Sequence, residues 1–109
     1  MKRHCLALDL INEEASIAEY ERLHTQVSPA IISSIQKAGI TVMDIYRTGN
    51  RLFMIMETNN DFSFEVKNAM DAANPLVQEW EQQVWKYQLA LPGAKPGEKW
   101  LVMKKIFEL

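Results

Sequence analysis

The chain has 109 residues, of which 48% are hydrophobic and 24% charged, the size and balance of a single globular domain with one core. Its formal net charge of -2 offers no basic footprint for neutralising phosphates, so nucleic acid is not an expected partner. A lone cysteine (Cys5) and two histidines supply neither an intrachain disulfide nor the spacing of a metal site, so no metal is expected.

Taken in chain order, "RHCLALDLI" (Arg3–Ile11) predicts a strand, with His4, Leu6, Leu8 and Leu10 on one face and Arg3, Cys5, Ala7 and Asp9 on the other. Asp9, Glu13 and Glu14 interrupt the N-terminal apolar run, which argues against a signal peptide. No apolar stretch approaches the length of a membrane span, so no membrane partner and a cytoplasmic location are expected. "NEEASIAEYERLHTQ" (Asn12–Gln26) predicts a helix capped by Asn12, with Glu13 and Glu14 at the positive end of its dipole. Ile17, Tyr20 and His24 share one face of it. Ser28-Pro29 opens a second helix with Ile31, Ile32 and Ile35 as its apolar stripe and Gly39 as its stop.

"ITVMDIYRTGNRLFMIME" predicts a hairpin of two β-rich runs, Ile40–Arg47 and Arg51–Glu57. "DFSFEVKNAMDA" and "PLVQEWEQQVWKYQLAL" predict two more helices, "PGAKPGEK" a turn-rich loop, and "WLVMKKIFEL" a last strand. The order β, αα, β, β, αα, β is the split βαβ pattern of a ferredoxin-like α+β domain: an antiparallel sheet with helices on one face. The second run places Leu52, Met54 and Met56 on one side and Phe53 and Ile55 on the other, so both faces of the sheet are apolar. The face without helices needs a cover, and a homodimer built as an α+β barrel is the economical one.

Few residues are equipped for chemistry. His24 is the only histidine on a helical face, and an imidazole both accepts and donates a proton near neutral pH. Tyr20 lies one turn earlier on the same side, where its hydroxyl can bond a substrate oxygen, although a Tyr–His pair at this spacing commonly just packs beside a core. Trp80 and Trp85 offer flat apolar faces suited to the C–H faces of a sugar; their spacing turns them apart and makes at least one of them structural. Tyr46 and Asp44 form the polar side of the first hairpin strand. Asp9, a carboxylate at a half-buried strand position, requires a partner, whether a ligand or a structural arginine. With no phosphate cradle, nucleophile elbow or metal cluster, what remains is proton transfer without a cofactor, or binding alone.

With these residues in place, the chain resembles the L-rhamnose mutarotase family. The resemblance runs through the Y-x-x-x-H of Tyr20 and His24, the proline-led helix Pro29–Ile35, the "IY" of Ile45 and Tyr46 leading to "RLFMIME", and the late "WKYQLALP". It implies a small cytoplasmic homodimer of ferredoxin-like fold that interconverts the α and β anomers of a 6-deoxy-L-sugar, L-rhamnose or L-fucose, without a cofactor. It also implies His24 as the acid/base residue, with Tyr20, Tyr46, Trp80 and Trp85 around the sugar; Asp9, from its strand position, is a further candidate for contact with it. Met43 stands where the family carries a strand tyrosine, which leaves Tyr46 as the nearest phenol. The separated Trp80 and Trp85 replace a tandem pair. The competing reading is a dimeric α+β barrel that binds an apolar ligand such as haem, suggested by the Met-rich strands and His24.

Overall fold

The computed structural model describes residues 1–109. Strand β1 (Lys2–Leu10) leads into α1 (Glu14–Leu23) and α2 (Pro29–Lys37), then β2 (Ile40–Thr48), β3 (Arg51–Thr58), α3 (Phe64–Ala72), α4 (Pro75–Trp85), β4 (Gln88–Leu89) and β5 (Leu101–Val102). The strands form one antiparallel sheet in the order β2-β3-β1-β4, with β5 also pairing β1. The far edge of β1 is thus shared by two short segments: Leu10 faces Gln88 in β4, and Leu6 faces Val102 in β5. This is the ferredoxin-like α+β architecture expected from the sequence.

Register decides which face is buried. β1 pairs β3 with Leu6 opposite Met54 and Leu8 opposite Leu52, so alternation sends these apolar residues to the helix side together. Leu8, Leu10 and Leu52 are sealed there, each worth about 1.5–3 kcal/mol of burial. Two core clusters result. One joins Leu6, Ile40, Met54, Met56 and Phe62; the other joins Leu10, Tyr20, Leu23, Leu52 and Val84. Half-buried Trp100 packs against both, tying the C-terminal segment to the core.

The opposite face carries Cys5, Ala7, Phe53 and Ile55, all half-buried. At its end Asp9 sits directly across from Arg51, which grips the carboxylate with two bonds, Nε to Oδ1 at 2.8 Å and Nη2 to Oδ2 at 3.1 Å. The partner that Asp9 requires is therefore a structural arginine. No helix is long and apolar enough to cross a membrane.

Several boundaries differ from the sequence expectation, α1 among them, which ends at Leu23 and not at Gln26. Helix α1 begins at Glu14, with Glu13 rather than Asn12 at the cap position, because Ile11 N–H donates to the Tyr87 carbonyl at 2.9 Å and holds this stretch extended. Helix α4 stops at Trp85. The expected continuation through Leu91 is pulled away by pairing of Gln88 and Leu89 with β1. The last strand is only Leu101–Val102, and beyond it Ile106, Phe107 and Leu109 are exposed.

Gly39 makes the α2–β2 turn. Its φ of +96° is closed to L side chains without strain, its carbonyl accepts from Asn59 N–H at 2.9 Å, and a Cβ there would meet the Asn59 side chain at 2.8 Å. Gly39→Ala is expected to lower unfolding stability by about 1–3 kcal/mol, seen in urea as an earlier midpoint with an unchanged slope.

Candidate functional site

Helix α1 presents two sides. On the outer side the Arg22 guanidinium chelates Glu19 and holds its carboxyl below the ordinary value. On the inner side Tyr20 and Leu23 are buried, and the helix ends where Thr25 takes the Arg22 carbonyl with both its N–H and its hydroxyl. His24 is therefore the last residue held in helical geometry, half-buried at the mouth of a cleft.

That cleft, about 370 Å³, is lined by Tyr20, Glu21, His24, Ile45, Tyr46, Arg47 and Leu52. It lies between the last turns of α1 and strand β2. The His24 ring packs at 4.5 Å between centroids on the Tyr20 ring and meets the Trp80 edge at 5.2 Å. Its Nδ1 lies 2.8 Å from the Tyr20 carbonyl oxygen. A carbonyl only accepts, so Nδ1 carries the hydrogen, and the neutral ring keeps its lone pair on Nε2. Nε2 is thus the atom free to exchange a proton.

The Tyr20 ring is 3% exposed. Burial pushes the phenol above its ordinary range, only partly offset by a hydrogen bond from Gln88 Nε2 to the hydroxyl at 3.4 Å. The group stays a neutral hydroxyl across physiological pH, able to donate but not to serve as an anion. Gln88 Oε1 is buried with no hydrogen-bond partner. Glu21 accepts from Arg47 Nε across the cleft, joining α1 to β2.

Of the residues picked from the sequence, Tyr20, His24 and Trp80 come together. Tyr46 borders the same cleft along the edge strand, but its neighbours Ile45 and Arg47 take the helix side; the ring turns to the uncovered face and is 58% exposed. Asp9 does not join them. It alternates away from Leu8 and Leu10 onto the other face of the sheet, bound to Arg51. Nor does Trp85: five residues turn it about 140° from Trp80, leaving it 55% exposed beneath the Lys99 ammonium at 4.5 Å. No methionine lines the cleft; Met54 and Met56 fill the core. No three His, Cys, Asp or Glu side chains converge as a metal site. Two neighbours of these residues carry no local sequence signal: Glu21 lies in a charged run, and Gln88 follows a helical pattern whose end only the sheet pairing reveals.

A family model described as L-rhamnose mutarotase matches residues 3–109. An L-fucose mutarotase of Xanthomonas campestris pv. campestris is 45% identical, over 100% of this chain and 89% of its own length. The fold is similar to that of an L-rhamnose mutarotase from Formosa agariphila, with a TM-score of 0.73 at 16% identity, covering 100% of this chain and 99% of that one. It is also similar to a dimeric ferredoxin-like protein from an uncultured marine organism, with a TM-score of 0.58 at 14% identity, covering 98% and 90%.

Burial raises the Tyr20 phenol above its unfolded value, so the stability it lends is whole below pH 10.0 and declines as pH climbs toward the folded value. Denaturant unfolding of wild type and Tyr20→Phe should show the difference between them moving against wild type from about pH 10 upward.

Proposed function

Given that the chain belongs to the L-rhamnose mutarotase family, we propose that it interconverts the α and β anomers of a 6-deoxy-L-sugar, L-rhamnose or L-fucose, in the cytoplasm and without a cofactor. The observation that carries this reading is the His24 imidazole, fixed by its Nδ1–H bond to the Tyr20 carbonyl, with Nε2 free beside a buried neutral phenol. In this mechanism Nε2 takes the proton of the anomeric hydroxyl as the C1–O1 carbonyl forms. The C1–O5 bond breaks, and the proton is delivered to O5. Rotation about C1–C2 and the reverse sequence close the ring on the other face. No proton is gained or lost overall, so one imidazole and a hydrogen-bond donor suffice.

Tyr20 donates to the sugar oxygen that gains charge, and Trp80, outside the cleft lining, packs against the His24 ring and braces it. Tyr46 belongs to the reading as a residue of the cleft rim. Asp9 and Trp85 enter it only as structural neighbours, since Asp9 is held by Arg51 and Trp85 lies under Lys99. The anomeric protons of L-rhamnose and L-fucose, observed by NMR saturation transfer, should exchange faster than in buffer. His24→Ala should slow that exchange by ~10²–10⁴-fold. A wild-type protein that accelerates neither sugar defeats the reading.

The same reading includes a homodimer closed over the uncovered sheet face. Its support is the row of half-buried Cys5, Ala7, Phe53 and Ile55, apolar side chains with no helix above them. Sedimentation equilibrium should give twice the mass of one chain, and Phe53→Lys, which sets a charge in the middle of that face, should give a single-chain mass. A monomeric wild type is the contrary result.

A further inference from the structure

We propose that Gln88 is a positioning residue for anomer exchange, acting through the Tyr20 hydroxyl to keep its proton aimed at the sugar. This rests on the mutarotase reading and extends it to a residue outside the cleft lining. A tyrosine hydroxyl has one proton to give and lone pairs that accept. With Gln88 Nε2–H directed at the oxygen, that side of the phenol is occupied by a donor, and the hydroxyl proton must turn elsewhere. The 3.4 Å separation is long, as catalytic hydrogen bonds often are before substrate tightens them.

The surroundings of Gln88 argue against a purely structural part. Its contribution to β4 is made by the backbone, opposite Leu10, and any side chain would permit that pairing. Around the Tyr20 ring are Leu10, Leu23, Leu52 and Val84, an apolar setting in which a carboxamide is costly. The cost is aggravated because Oε1 is buried and unpaired. An apolar side chain of the same length would suit this core better. Only one thing would be lost with the carboxamide: the donor to the Tyr20 hydroxyl.

Stability and activity should therefore move in opposite directions. Gln88→Met is expected to match or exceed the wild-type thermal midpoint while slowing anomer exchange roughly 10-fold or more, since misplacing a contact group by a fraction of an ångström already carries penalties of this order. Gln88→Glu keeps the shape but only accepts, so it draws the Tyr20 proton toward itself and should be slowed as well. Adding Gln88→Met to Tyr20→Phe should cause no further loss, because the pathway through the hydroxyl is already gone. The alkaline absorbance titration of Tyr20, isolated by difference against Tyr20→Phe, should move to higher pH in Gln88→Met as the donor is removed. Wild-type exchange with an equally fast Gln88→Met overturns this inference and leaves the mutarotase reading standing. So does a loss of rate matched by a loss of thermal midpoint in both Gln88→Met and a second apolar variant, Gln88→Leu. Wild-type protein that exchanges neither sugar overturns both.

Discussion

Everything in this molecule hangs on the pairing of β1 with β3. Because Leu8 faces Leu52 and Leu6 faces Met54, one side of the central strands becomes a continuous apolar floor on which α1 and α4 settle. A slip of β1 by one residue would turn Asp9 toward the helices and Leu8 toward the open face, while Arg51 on β3 stayed where it is. The Asp9–Arg51 pair guards against that slip, since the carboxylate would be stranded under a helix, parted from its guanidinium on the open side. The floor in turn fixes the depth at which Tyr20 sits, and the depth of Tyr20 sets where His24 meets the cleft.

The cleft assigns different work to two adjacent turns of one helix. Tyr20 is sunk into the core and keeps its proton; His24, at the helix end, is half-exposed and has one committed nitrogen and one free. Across from them the Glu21–Arg47 ion pair joins α1 to the edge strand, so the two walls of the cleft are linked at the rim as well as through the core beneath. Exposed ion pairs add little to stability, and this one matters more for where it places the walls than for what it contributes in energy.

The layer architecture was legible because the strands alternate cleanly and Ser28-Pro29, Gly39 and the Thr48–Asn50 stretch punctuate them as physical chemistry demands. Tyr20 and His24 were legible for a related reason: a spacing of four puts them on one side of a helix whatever the rest of the fold does. Boundaries set by long-range pairing were not. The segment "WKYQLAL" has the composition of a helix, and only β1 lying alongside converts its second half to strand, so Gln88 could not be placed from local pattern. Strand parity separates residues that chemistry alone would gather. Asp9 and Tyr46 carry the right chemical groups for a sugar, but alternation assigns both side chains to the face that the helices do not cover.

The bond from His24 Nδ1 ends on the main-chain carbonyl of Tyr20 and not on its phenol. Every amino acid carries that carbonyl. The imidazole is therefore oriented by the helix itself, while the phenol packed against it depends on the side chain at the same position. Two duties housed in one residue are thereby separate: the main-chain carbonyl sets the tautomer of the imidazole, and the buried side chain packs the core beneath it. A helix terminus of this kind holds a ring in one tautomer through the part of the chain that substitution does not touch.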